Sequence, residues 1–157
     1  MRAWYDIFSI DKDMREDSEG IEASQQQIEL LIQSQLKAGI LASRIILVGF
    51  SQGGCIALHT GLRFQQTLGG VLGLSTYLPL RQRVAAELNE NQRTTPIMLM
   101  HGTQDMVVNY EFGLMSFKEL TNLGLNIEWH EYPMEHTVSN PQLSDISSFI
   151  SKCLRAG

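Results

Sequence analysis

The stretch Ile45-Ile46-Leu47-Val48-Gly49-Phe50-Ser51-Gln52-Gly53-Gly54-Cys55-Ile56-Ala57-Leu58 joins a short apolar run, a serine between glycines and a helix-like segment. Residues 45–48 are apolar and rich in β-branched side chains, which predicts a strand buried on both faces. The pattern over 54–62 predicts a helix. The turn between them, residues 49–53, matches G-x-S-x-G, in which a serine on a tight strand-to-helix turn presents its hydroxyl. Glycine-rich turns follow buried strands in many α/β proteins, but both flanks fit here, so Ser51 is a candidate nucleophile.

The composition describes an ordinary globular chain and excludes several classes of function. The 157 residues are 43% hydrophobic and 18% charged, which suffices for one domain with its own core. A net charge of -5 argues against nucleic acid as a partner, because phosphate contacts need clustered Lys and Arg. No apolar run is long enough to span a bilayer, and the charged first twenty residues do not resemble a signal peptide.

The two cysteines, Cys55 and Cys153, give no disulfide framework and no zinc-ligand spacing. Without disulfides, a reducing, cytoplasmic location fits best. Cys55 follows Ser51 by one helical turn and could be read as a second reactive group. We interpret it as a small packing residue on the inner face of the helix.

The rest of the chain alternates between helix-like and strand-like segments. Gly39 and Gly124 stand where left-handed residues would end two of the helices. This alternation predicts an α/β fold, a parallel sheet covered by helices on both faces. The predicted helices are 18–38, 81–88, 110–122 and 141–154, and the further strands are 69–75, 97–100 and, near an edge, 126–132.

A candidate acid and a candidate base follow Ser51 in the sequence order of an α/β-hydrolase triad. A serine hydroxyl needs a base to take its proton, and that base needs an acid to hold its tautomer. Asp105 follows the strand 97–100, and His136 follows the strand 126–132. α/β-Hydrolases carry their triads in this order, serine, acid, histidine, in loops after strands. We therefore expect Ser51, Asp105 and His136 to converge at the carboxyl edge of the sheet.

Other titratable residues fit these roles less well. His59 lies two helical turns beyond Ser51 and faces away from it, which favours a core or surface position. His130 lies inside a predicted strand, and no loop would place it at the edge of the sheet. His101 ends a strand, and a structural hydrogen bond is its expected role. Glu135 adjoins His136 and would point elsewhere on a regular backbone.

Several blocks of the sequence resemble bacterial carboxylesterases of the phospholipase/carboxylesterase family, which are related to acyl-protein thioesterases and lysophospholipases. The resemblance implies an α/β-hydrolase fold and a metal-free, cofactor-free serine hydrolase that acts on small-molecule esters or on acylated substrates. It also implies that the triad is Ser51, Asp105 and His136. The blocks that carry it, in the order of the family, are 1–6 (MRAWYD), 49–54 (GFSQGG), 74–79 (LSTYLP), 101–108 (HGTQDMVV) and 132–136 (YPMEH).

The chain departs from the family at the oxyanion hole. One donor would be the backbone N–H of Gln52, the residue after the nucleophile. The other comes from a loop that relatives carry as a His-Gly turn near their start, whereas the His-Gly pair here is His101-Gly102, after the nucleophile. We interpret residues 1–157 as one α/β-hydrolase domain that is truncated at the N-terminus and lacks the first strands.

Such a truncation has expected consequences. Losing one oxyanion donor costs roughly 10²–10³ in rate. Missing strands would leave an apolar sheet edge beside the nucleophile strand, which would favour aggregation or a homodimer. The leading hypothesis is an esterase or thioesterase, and the alternative is a weakly active or inactive fragment that binds an acyl group or a partner. The expected pocket walls, which could equally be core, are Trp4, Leu78, Met106 and Val107.

Overall fold

Four parallel strands form a single sheet in the order β1-β2-β3-β4 in the computed structural model, which describes residues 3–5 and 16–156. The block at residues 1–6 and the expectation that residues 1–17 hold no strand therefore lie largely outside the described residues. The strands are β1 Ile46–Phe50, β2 Gly70–Leu74, β3 Ile97–Gly102 and β4 Ile127–Tyr132. The helices are α1 Ser18–Lys37, α2 Gln52–Arg63, α3 Arg81–Glu87, α4 Tyr110–Asn122 and α5 Asn140–Ala156, with 3₁₀ turns at Ala42–Arg44 and Glu90–Gln92.

Helices cover both faces of this sheet, as the alternating pattern predicts. Successive side chains of a strand point to opposite faces. Val71 and Leu99 pack on one face with residues of α1, α2 and α4. Leu72 and Met98 point the other way and pack against α5. Both inner strands are fully buried, so the expected α/β architecture is confirmed.

The two predicted helix ends are confirmed. Gly39 after α1 has φ of 90°, and Gly124 after α4 has φ of 75°. Both values lie in the left-handed region, where a side chain is strained and glycine is not. No helix in the described ranges is long and apolar enough to cross a membrane.

The prediction that the nucleophile strand is buried on both faces is wrong. β1 is an edge strand, and Val48 and Phe50 are 47% and 38% exposed. Ser51 N–H donates to the Leu74 carbonyl on the β2 side. Alternate residues of a parallel strand bond to opposite neighbours, so Val48 and Phe50 turn their backbone groups to the outer side. No strand among the described residues pairs there, and the open edge stays a prediction.

Candidate active site

Four consecutive strands end at one edge of the sheet, and the loops that follow them carry the polar residues of the site. Ser51 follows β1, Ser75 follows β2, Asp105 follows β3 and His136 follows β4. Because all four strands are parallel, their carboxyl ends meet at the same edge, where open α/β sheets bind ligands.

Ser51 occupies the sharp turn between β1 and α2. Its φ of 53° and ψ of -122° are unusual for a residue with a side chain. The backbone is held on both sides: Ser51 N–H donates to the Leu74 carbonyl at 2.8 Å, and the Ser51 carbonyl accepts from Gly54 N–H at 3.0 Å. A strained backbone that its surroundings over-determine is typical of functional sites.

The two glycines of the motif differ in how much space a side chain would have there. A Cβ at Gly49 would lie less than 3.0 Å from the Gly53 carbonyl oxygen, closer than real Cβ atoms approach. Among the described residues, a Cβ at Gly53 would meet only the Trp4 indole nitrogen, at 3.5 Å. Close packing of the strand end against the helix start therefore requires the first glycine and does not require the second.

Asp105 and His136 are joined by a short hydrogen bond. His136 Nδ1 lies 2.7 Å from Asp105 Oδ2. The other carboxylate oxygen, Oδ1, accepts the N–H groups of Val107 and Val108, both at 2.9 Å. The Asp105 side chain is fully buried. An ionised carboxylate only accepts, so Nδ1 carries the proton and Nε2 of His136 is left as an acceptor.

The buried side chain of His101 contacts the acid loop, the loop after β3 that carries Asp105. Its Nε2 is 2.8 Å from the Val108 carbonyl, and because a carbonyl can only accept, Nε2–H is the donor. Burial lowers the pKa of His101, which keeps the ring neutral. The same nitrogen lies 3.5 Å from Asp105 Oδ2. This is the structural hydrogen bond that the sequence predicts for His101.

Ser51 and His136 share no hydrogen bond, although the structure describes both residues. The His136 ring instead lies against Phe50, with ring centroids 4.7 Å apart. Phe50 adjoins Ser51 in the chain, so the imidazole is packed beside the turn that carries the hydroxyl. Catalytic hydrogen bonds are often long before a substrate binds.

The Gln52 side chain ties residues 4 and 5 to the turn, a role that the motif does not predict. Its Oε1 accepts Trp4 N–H at 2.8 Å, and its Nε2 donates to the Tyr5 carbonyl at 2.6 Å. The Gln52 backbone N–H begins α2, where amides lack intrahelical partners and the helix dipole is positive. The expected oxyanion donor thus lies beside the nucleophile.

The four expected pocket residues differ in their surroundings. Trp4 is 43% exposed and lines an apolar groove of about 440 Å³ between α1 and the open side of β1. Leu78 is buried in the main core instead. Met106 and Val107 are exposed on the acid loop, Met106 at 92%. Neither they nor Leu78 line this groove.

The remaining histidines lie away from this edge. His59 is buried on α2 and neither ring nitrogen has a hydrogen-bond partner in the described structure. His130 lies within β4, with Nδ1 3.8 Å from Asp145 Oδ2. Within residues 3–5 and 16–156, no group of three or more His, Cys, Asp or Glu side chains could hold a metal ion.

Comparisons with known proteins find similar sequences. A family model described as Phospholipase/Carboxylesterase matches residues 1–154. Acyl-protein thioesterase 1 of Gibberella zeae is 38% identical over 98% of this chain and 69% of its own length. Acyl-protein thioesterase 1 of Yarrowia lipolytica is 35% identical over 99% of this chain and 70% of its own length. The chain therefore spans about 70% of the length of these relatives.

Solved structures share the fold of this chain. The crystal structure of SOBER1 of Arabidopsis thaliana superposes with a TM-score of 0.92 and 28% identity, covering 98% of this chain and 75% of that one. The crystal structure of acyl-protein thioesterase 2 of Zea mays, at 23% identity and a TM-score of 0.84, shares the fold over 97% of this chain and 72% of that one.

Proposed function

Because the chain belongs to the phospholipase/carboxylesterase family, we propose that Ser51, His136 and Asp105 are the catalytic triad of its ester- and thioester-hydrolase chemistry. The chain is a carboxylesterase- or thioesterase-like hydrolase with an α/β-hydrolase fold. The thioesterases of Gibberella zeae and Yarrowia lipolytica are fungal, so a bacterial branch of the family stays a prediction, as does truncation at the N-terminus.

The observation that carries the proposal is the 2.7 Å bond between Asp105 and His136 at the sheet edge where Ser51 sits. Asp105 fixes the tautomer with the proton on Nδ1, which leaves Nε2 free to take a proton. The proposal requires Nε2 to reach Ser51 Oγ, and it is supported by the packing of the His136 ring against Phe50, the residue before Ser51. Without such a base, a serine hydroxyl is a poor nucleophile.

In the first half-reaction, Ser51 Oγ attacks the acyl carbon and its proton passes to His136 Nε2. The carbonyl oxygen becomes an oxyanion, which the Gln52 N–H stabilises at the positive end of α2. Collapse breaks the bond to the leaving oxygen or sulfur, which receives the proton from His136. The acyl group is then esterified to Ser51.

In the second half-reaction, His136 takes a proton from water and the resulting hydroxide attacks the acyl-enzyme. The new oxyanion collapses, the bond to Ser51 Oγ breaks, and His136 returns the proton to the serine. The products are a carboxylic acid and the free enzyme. The relatives' name supports acylated proteins as one substrate class, and small carboxylic esters are the other.

A second candidate function is binding of an acyl group or a partner without turnover. The observation that favours it is the lack of a hydrogen bond between Ser51 and His136, both of which the structure describes. A fluorophosphonate probe, which reacts with activated serines, separates the two functions. We expect the purified chain to be labelled, Ser51→Ala to be unlabelled, and Ser148→Ala, a change on the exposed side of α5, to be labelled like wild type. A folded wild-type chain that stays unlabelled would refute the triad.

A further inference from the structure

Thr76 lies two residues after β2 and reaches across to the nucleophile turn. Its Oγ1 donates a hydrogen bond of 2.7 Å to the Ser51 carbonyl oxygen. Thr76 is 2% exposed, so water does not replace this bond. The Thr76 hydroxyl therefore fixes the backbone carbonyl of Ser51, whose side chain is the proposed nucleophile.

Two glycines make the space that Thr76 occupies. A Cβ at Gly54 would lie 2.7 Å from Thr76 Cβ, and one at Gly73 would lie 2.8 Å from Thr76 Cγ2. Real Cβ atoms do not come this close, so neither position accepts a larger residue without movement. The Thr76 side chain therefore packs closely between α2 and β2.

Cys55 is a second hydrogen-bond partner of the Thr76 hydroxyl. Its Sγ lies 3.2 Å from Thr76 Oγ1. Since the Thr76 proton is directed to the Ser51 carbonyl, the thiol is the donor and Thr76 Oγ1 accepts. Burial raises the pKa of Cys55, which keeps the thiol protonated and able to donate. A polar chain from Cys55 through Thr76 to Ser51 results.

We infer that Thr76 is a positioning residue for the nucleophile, held in place by Cys55. The turn at Ser51 has φ of 53°, a conformation that persists only where the surroundings hold it. Ser51 also makes backbone hydrogen bonds with Leu74, Gly54 and Cys55, and Thr76, in the loop after β2, adds a side-chain hydrogen bond to its carbonyl oxygen. This inference rests on the proposed function, because it assigns the position of the Ser51 hydroxyl in the reaction.

The test compares variants that separate the hydroxyl from the packing. Thr76→Ala removes both hydroxyl and methyl, Thr76→Ser restores the hydroxyl, and Thr76→Val keeps the volume without the hydroxyl. The matched control is Thr60→Val, because Thr60 is also buried but its hydroxyl has no hydrogen-bond partner in the described structure. Turnover of a short p-nitrophenyl ester gives kcat and KM, and the fluorophosphonate probe gives the rate of serine labelling.

We expect T76A and T76V to lower kcat and the labelling rate roughly tenfold, the effect of one buried hydrogen bond, with KM unchanged. T76S should recover to within about twofold of wild type, and T60V should match wild type throughout. If T76A does not fold, T76V carries the comparison.

Equal kcat in T76V and wild type would overturn the inference, as would a T76S enzyme as slow as T76A, which would assign the effect to packing. In either case, wild-type labelling that is lost in Ser51→Ala would leave the proposed function standing. A wild-type chain that is not labelled at all would overturn both.

Discussion

Replacing Asp105 by asparagine is the most informative single change, because the structure specifies what each atom of the new side chain would meet. Asp105 Oδ1 accepts two backbone N–H groups and Oδ2 accepts from His136 Nδ1. In Asp105→Asn the amide oxygen would keep the two backbone bonds, since an NH₂ group there would face two donors. The NH₂ group would then point at His136 Nδ1.

An NH₂ group can only donate, so His136 Nδ1 would have to accept and its proton would move to Nε2. The nitrogen that should take the serine proton would then already carry one. We therefore expect kcat to fall by about 10⁴, the size reported for the equivalent change in a chymotrypsin-type triad. The fold should survive, because the new side chain has the same shape and keeps both backbone bonds.

The assay is kcat on a p-nitrophenyl ester between pH 6 and 9, with circular dichroism to confirm folding at the assay temperature. The matched control is Asp145→Asn, because Asp145 also lies near a histidine nitrogen, that of His130, but at 3.8 Å and away from the site. We expect Asp145→Asn to keep wild-type kcat. A folded Asp105→Asn enzyme within tenfold of wild type would refute the tautomer argument.

Three further predictions concern stability and association. Burial lowers the pKa of His59 from 6.5 to about 3, so the folded chain binds this proton less readily than the unfolded chain. The contribution of His59 to the free energy of unfolding is complete above pH 6.5 and is lost as the pH falls towards 3. His59→Leu should therefore reduce the slope of the unfolding free energy against pH in this range by up to about 1.4 kcal/mol per pH unit, measured by urea unfolding. Parallel pH curves for the variant and wild type would contradict this. Gly49→Ala should lower the free energy of unfolding by about 3 kcal/mol or more, whereas Gly53→Ala should cost little, and similar urea midpoints for the two would count against the packing argument. We also predict concentration-dependent self-association through the outer edge of β1. In light scattering, Val48→Lys should reduce it, while Leu143→Lys, a similarly exposed site on α5, should not; equal effects would exclude that edge.

Much of the fold could be predicted from local patterns. The strands at 70–74 and 97–102 are short apolar runs between breakers, and they lie where the sequence predicts them. Helix α4 has the predicted bounds, Tyr110–Asn122, and its left-handed end at Gly124 follows from the steric freedom of glycine. These features depend on residues that are neighbours in the chain.

The exposure of β1 could not be predicted in this way. An apolar run of five residues looks the same whether a second strand covers its outer side or not, because burial depends on the partners that the fold supplies. Leu78 poses the same problem, since an apolar side chain near a strand end suits a pocket wall and a core equally well. Only the packing places Leu78 in the core.

For the candidate site, the sequence by itself determined which residue types follow which strands: a serine in G-x-S-x-G, then an aspartate, then a histidine. Tertiary structure alone decided that His136 bonds to Asp105, that Thr76 holds the Ser51 carbonyl and that Gln52 clamps residues 4 and 5. These contacts join residues that are 25 to 48 positions apart. Their distances are set by how strands and helices pack, and no local pattern encodes such a distance.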